Sequence, residues 1–432
     1  MEQCVKTRER IGNMIKKQGG YIAGTILMIL CLYAPEFKVF PKYTWLLAVI
    51  GLALFATDII KKRRIDKYGI ILYGLCAFAA VFGICVVLMN QTNDFSFLVF
   101  QTGTVLSLFR NYLVIGLVDR FSVKNKKSGI QQYMSMYIDA CVVCVVFTLA
   151  FIVFPTFRSY WLGSVIHSEY MDYFVYQYRY SLSGFAAFAY SSTFSIALIF
   201  NAFLLGKNVE NKECFRYLST YVLLIVGAFF YGRITIVAIA ISVMLIAYIT
   251  KLKKNAIKRI VLPLAIAVTV LVGGVFLLAQ FNESAKLWKD WAFAIIAQIF
   301  SKDGITDYSV VHMFEDMYFA VDMRTFLFGT GYFGATGKYP VTDVGFLREI
   351  IYFGILGCIA NYLQPLLFIY GVEKHSKKDK ALKALLVSVL LIFIVLEMKG
   401  DAYHRILLSV MPLYYLKRME SKKEMDRYSL EK

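Results

Sequence analysis

The sequence predicts an all-α, polytopic membrane protein. Three observations carry that prediction. Apolar runs long enough to cross a bilayer recur along the chain. The composition is 59% hydrophobic and 16% aromatic, with a mean hydropathy of +0.61. The basic residues gather in every second connection between the apolar runs. A helix of about 20 apolar residues spans the hydrocarbon core while satisfying its own backbone hydrogen bonds. Over 432 residues, 1–432 is therefore expected to form one integral membrane domain.

Taken in order, the runs give about twelve spans, at roughly 19–35, 43–60, 68–89, 95–118, 133–154, 184–206, 214–231, 233–250, 258–279, 342–370, 381–397 and 400–416. Lys6, Arg8, Arg10, Lys16 and Lys17 precede the first. Lys61–Arg64 follow the second, Arg120–Lys127 the fourth, and Lys207–Arg216 the sixth. Lys251–Arg259 follow the eighth, Lys374–Lys383 the tenth, and a tail from Lys417 the twelfth. The intervening loops are poor in Lys and Arg or are long. The positive-inside rule then puts both termini in the cytoplasm and agrees with an even count. It also accounts for the net charge of +18 without nucleic acid as a partner.

Eight cysteines (Cys4, Cys31, Cys76, Cys85, Cys141, Cys144, Cys214, Cys358) fall in spans or on the inner side, so no disulfide framework is expected. Cys141 and Cys144 form a C-x-x-C inside an apolar run, where helix packing is the better reading. The first run lacks a clear small-residue cleavage site and is expected to remain as a span. Two outer loops are long. The first, about 155–183, is rich in Tyr and Trp, as suits the membrane interface. The second, about 280–341, contains KLWKDWAFAIIAQIF, an amphipathic helix candidate, and then Asp303, Asp307, His312, Glu315, Asp316, Asp322 and Arg324. Long loops on such a protein are usually functional. The two halves show no internal repeat.

Gly329–Gly334 matches G-x-G-x-x-G, but a dinucleotide site needs that motif between a strand and a helix. Here the glycines suit a tight turn or a close backbone approach before the tenth span. Gly116, Asp119 and Arg120 resemble part of the major-facilitator loop signature but follow the fourth span, so a solvated loop is the better reading. Arg110 lies inside the fourth span and should face the bundle interior, for function or for packing. Arg233 sits at a hairpin with almost no loop, where its guanidinium offers a fixed fork to phosphate oxygens; interface snorkelling is the plainer alternative. His167, His312 and His404 fall near the outer side and His375 on the inner. No pair has zinc spacing, so no metal is expected. Asp343, Arg348 and Glu349 open the tenth span, with Asp343 and Glu349 on different helix faces.

Three features resemble the class of O-antigen and capsular polysaccharide polymerases and O-antigen ligases, the Wzy/WaaL class. One is the hairpin Gly232-Arg233 before an apolar span, similar to the class's Ser-Arg-Thr-like turn. Another is the long outer loop late in the chain. The third is that loop's exit: Phe328-Gly329-Thr330-Gly331, then Asp343-Val344-Gly345-Phe346-Leu347, then Phe353-Gly354-Ile355-Leu356-Gly357. Val344 stands where the class often has Asn. Asp343 favours polymerase over ligase, since ligases tend to carry His-Asn there.

The resemblance implies a fold like that of the GT-C membrane glycosyltransferases. It also implies glycosyl transfer on the outer face of the cytoplasmic membrane between polyprenyl-pyrophosphate-linked oligosaccharides, with a capsule, exopolysaccharide or O-antigen as product. The implied partners are the lipid-linked oligosaccharide, membrane lipid, a flippase and a chain-length regulator; no cofactor is implied. Arg233 would hold the pyrophosphate, assisted by Arg179, Arg324 or Arg110. Asp343, Glu349 or His312 would serve as base or position the acceptor. The alternatives are a ligase, a flippase or transporter, and a receptor or structural membrane protein. A transporter predicts repeats between halves and charges spread along a path, whereas the notable charges here gather at one face.

Overall fold

The computed structural model describes residues 19–62, 67–125, 128–167, 179–185, 187–281, 283–299, 311–333, 339–376 and 379–430. Helix α1 is Gly19–Leu32. Strand β1 (Glu36–Phe37) follows, then α2 (Tyr43–Lys62), α3 (Lys67–Asn90), α4 (Ser96–Asn125), α5 (Gly129–Val153) and α6 (Pro155–Ser164). Strands β2 (Val165–Ile166), β3 (Tyr180–Ser181) and β4 (Gly184–Phe185) lead to α7 (Ala187–Lys207), α8 (Glu213–Tyr231) and α9 (Thr235–Thr250). Next come α10 (Lys254–Phe281), α11 (Glu283–Ile299) and α12 (Met323–Phe328). The last helices are α13 (Gly345–Lys374), α14 (Lys380–Glu397) and α15 (Tyr403–Leu430). Each of the twelve apolar runs coincides with a helix, and eight helices among the described residues are long and apolar enough to cross a membrane. α1 and α9 are shorter apolar helices. The all-α membrane class is thus present.

The loops carry more structure than their composition announces. The first long loop begins with α6, and β2 pairs antiparallel with β1, Glu36 opposite Ile166. Residues 184–185, expected at the start of a span, form instead a small hairpin with β3. Residues 168–178 and 300–310, including Asp303 and Asp307, lie outside the described residues, as do Cys4 and Gly334. The amphipathic candidate is helical, as α11.

The core forms around α7, whose sequence is apolar on all sides and which packs on α5, α8, α9 and α14. Its hydroxyls do not interrupt the helix. Ser192, Thr193 and Ser195 each return a hydrogen bond to the carbonyl four residues back, at 2.9, 2.9 and 2.8 Å. Helices also approach through small residues, as expected without a strong apolar driving force between spans. A Cβ on Gly51 of α2 would lie 2.0 Å from the Phe109 carbonyl oxygen of α4. By contrast, α10 has no buried residue between Leu262 and Phe281 and packs mainly on α8 and α11.

Candidate functional site

The chain's most irregular backbone lies at the end of the bundle where α13 and α15 begin and α3, α8 and α14 finish. α13 is broken at Gly354, which has φ 71° and ψ −176°. A break in a buried helix strands carbonyls that must find other donors. Here Thr330 supplies both its N–H and its hydroxyl to the Ile351 carbonyl, at 2.6 and 2.8 Å. The Gly331 N–H reaches the Tyr352 carbonyl at 3.1 Å. The glycines make this crossing possible. A Cβ on Gly329 (φ 72°) would sit 2.1 Å from the Tyr352 oxygen, and one on Gly354 would sit 2.3 Å from the Leu327 oxygen. The close approach expected of this stretch is therefore backbone on backbone.

The α3–α4 turn clamps the same segment. Thr92 Oγ1 donates to the Gly331 carbonyl at 3.0 Å, and the Tyr352 hydroxyl donates to the Asp94 carbonyl at 3.1 Å. The Asp94 carboxylate accepts from the Phe333 N–H at 2.7 Å, and from the Ser96 hydroxyl and N–H at 2.5 and 3.0 Å. Partial burial pushes this carboxyl upward, but the Ser96 hydroxyl and the Phe333 and Ser96 N–H groups outweigh it and hold the group below its ordinary value.

Beside the broken helix lies a group of acids. Glu349 is fully buried, accepts from Asn361 Nδ2 at 2.6 Å, and has no partner for Oε1. Glu397, at the end of α14, accepts from the Tyr362 hydroxyl at 2.6 Å and the Ala402 N–H at 2.7 Å. A Cβ on Gly345 would meet Glu397 Oε2 at 2.1 Å and the Gly400 carbonyl oxygen at 2.7 Å, so the first turn of α13 packs closely there. Asp401 lies within electrostatic reach of both glutamates, and its Oδ1 is 3.7 Å from His404 Nδ1. Arg405, in the first turn of α15, donates to the Leu32 carbonyl at 3.1 Å. Arg348 lies over the Phe333 ring, 4.7 Å from its centroid. Among the described residues, no group of three or more His, Cys, Asp or Glu could hold a metal ion.

The arginines expected from sequence fall in three places. Arg179 donates to the Tyr231 carbonyl at 2.8 Å, which joins the β3–β4 hairpin to the α8–α9 turn that carries half-buried Arg233. Thr235 locks that turn by donating to the carbonyls of Ala228 and Gly232, at 2.9 and 2.5 Å. Arg110 is buried in α4, bonded to the Ser107 hydroxyl and near Arg405. Arg324 is exposed on α12, and nothing among the described residues ties it to Arg233. His312 pairs with Asp316 beside a short π-turn, Met313–Met317. Asp343 is exposed on the extended segment before α13 and does not meet Glu349.

The first turn of α7 bridges the arginines and the acids. A Cβ on Gly232, next to Arg233, would meet Ser191 Oγ at 2.3 Å. One on Gly400, next to Asp401, would meet the Phe188 ring at 2.6 Å. Residues three apart on a helix lie about 5–6 Å from each other on one face. The Gly232–Arg233 turn and the Gly400–Asp401 turn therefore pack against the same first turn of α7, at one corner of the bundle. Glu397, Asp401 and Arg405 are absent from the sequence-based candidates, and His404 enters there only as one of three histidines near the outer side. Their signal is the run Glu397–Arg405, which sets Glu397, Lys399, Asp401, His404 and Arg405 where two apolar runs meet. Next to this corner, Phe229 and Phe230 help line an apolar cleft of about 570 Å³ with Val268, Leu271, Trp288 and Phe293. No family model matches the chain, and no curated protein or solved structure matches it.

Proposed function

We propose that the protein is a polysaccharide polymerase, a membrane glycosyltransferase that joins polyprenyl-pyrophosphate-linked oligosaccharide units. In this reading the twelve apolar runs all span, both termini are cytoplasmic, and the corner described above faces outward. The observation that carries the reading is the α7 bridge. The turn that carries Arg233, tied to Arg179 through the Tyr231 carbonyl, and the turn that carries Asp401 both pack against it, which supports a site where cations and carboxylates serve one substrate. Glycosyl transfer from a pyrophosphate donor needs that combination. Cations stabilise the charge that develops on the departing pyrophosphate, and a carboxylate or base attends the attacking hydroxyl. The apolar cleft beside the arginines suits the donor's hydrocarbon chain, and its size falls within that of ligand sites.

In the reaction, an acceptor hydroxyl oxygen bonds to the anomeric carbon of the growing chain. The carbon–oxygen bond to the pyrophosphate breaks, and the electron pair leaves with it. Arg233 and Arg179 receive that charge. Arg110 lies deeper, in the middle of α4, and Arg324 stands apart, so neither is required. Asp343 remains available to a sugar because it is exposed, whereas Glu349 has no solvent contact.

A second reading, a lipid-linked oligosaccharide flippase, draws on the broken α13 and its buried Glu349, since transporters often build their sites on interrupted helices. One experiment separates the two. Arg233→Ala, inserted in the membrane at the normal level, should lose polymer synthesis by about 100-fold, as removal of one transition-state charge donor does. Full-length polymer from that variant would refute the assignment of Arg233.

A further inference from the structure

We propose that Asp401 and His404 form an acid–imidazole pair in which His404 Nε2 takes the proton from the attacking hydroxyl. The proposal rests on the polymerase reading and gives its base a residue. The pair's geometry is specific. Asp401 Oδ1 and His404 Nδ1 face each other at 3.7 Å, both atoms are buried, and neither has a hydrogen-bond partner. Such contacts are often long before substrate binds. The Phe100 ring meets the imidazole edge-on at 5.0 Å and holds its plane. The side chain keeps 19% exposure. Nδ1 is sealed and Nε2 makes no hydrogen bond among the described residues, so Nε2 is the nitrogen open to a ligand.

The position also fits. Gly400 packs on Phe188, one turn of α7 from Ser191, and Ser191 packs on Gly232 next to Arg233. The other acids fit the base's role less well. Glu349 is sealed from solvent and Glu397 already accepts two hydrogen bonds, while exposed Asp343 is left to position the acceptor sugar. A carboxylate on Nδ1 fixes the tautomer that leaves Nε2 as acceptor and stabilises the imidazolium that forms. The oxygen–carbon bond forms, the hydroxyl proton passes to Nε2, and the pyrophosphate departs with its electron pair. Water then takes the proton from the imidazolium. His404 is the catalytic residue and Asp401 its positioning residue.

The test uses the full chain reconstituted in lipid with a lipid-linked repeat unit. His404→Gln should lower kcat by about 100-fold or more, with KM for the lipid substrate changed less than about twofold. Asp401→Asn should lose rate and Asp401→Glu should recover most of it, which a purely structural role would not produce. Separately from activity, diethyl pyrocarbonate should acylate His404 in the intact protein, read by peptide mass spectrometry. His404→Gln turning over at the wild-type rate overturns the proposal. So does a His404 that stays unlabelled while His312 reacts. A wild-type protein that leaves the repeat unit unextended refutes the polymerase reading instead, and the labelling result still decides whether Nε2 is presented as described.

Discussion

At Gly354 one added methyl group would press on the Leu327 carbonyl at 2.3 Å and the Phe328 nitrogen at 2.7 Å, in a backbone conformation with φ 71°. Both effects oppose any other residue. Gly354→Ala should cost about 2–3 kcal/mol, read as a lowered thermal midpoint in detergent. Gly273→Ala, where a Cβ would meet nothing within 4 Å, should change the midpoint little. Equal midpoints for the two would contradict the crossing at Gly354. Asp94 gives a pH-dependent counterpart. Its folded value lies below the unfolded one, so its stabilisation is complete above about pH 4 and is lost as pH falls through the folded value. Acidification below about pH 4 should therefore loosen the Gly329–Phe333 segment. Asp94→Asn should remove that acid dependence, and an unchanged acid midpoint would count against the clamp.

At the scale of elements, α13 is two half-helices held at their junction by a segment from outside the helix. The amide protons of Thr330 and Gly331 bond to helix carbonyls, so they should exchange with solvent far more slowly than those of an ordinary loop. Fast exchange at both would mean that the junction opens readily. The composition of this stretch was legible: glycines before a span, and acids at its start. Its geometry was not, because periodicity reports which residues are apolar and not where a helix breaks. Gly354 belongs to the Phe353–Gly357 stretch picked out in the sequence, but the apolar run around it does not mark the helix as broken there. The acids of the last two helices were legible in principle. Glu397, Asp401, His404 and Arg405 fall within nine residues where two apolar runs meet. Arg179 illustrates the opposite limit. Its meeting with Tyr231 joins residues 52 apart in sequence, which no local pattern encodes.

For the whole molecule, the alternation of basic clusters predicts an orientation with both termini cytoplasmic, which under the proposed function turns the corner at the start of α7 outward. In a cysteine-free background, Asp343→Cys should react with a membrane-impermeant maleimide in intact cells, and Lys253→Cys only after permeabilisation. The reverse pattern would invert the protein and remove its proposed access to an outer-face donor. The overall class followed from run length and charge because the bilayer imposes both. The function does not follow in the same way, since many unrelated activities share a bundle of spans. The proposal rests on two turns packed against the first turn of α7, one carrying Arg233 and one carrying Asp401. The most direct measurement adds purified wild-type protein in lipid vesicles to a polyprenyl-pyrophosphate-linked repeat unit and resolves the products by size. The account predicts a ladder of longer lipid-linked glycans that Arg233→Ala fails to make. Substrate that stays at its original length, or that only moves between leaflets, would contradict it.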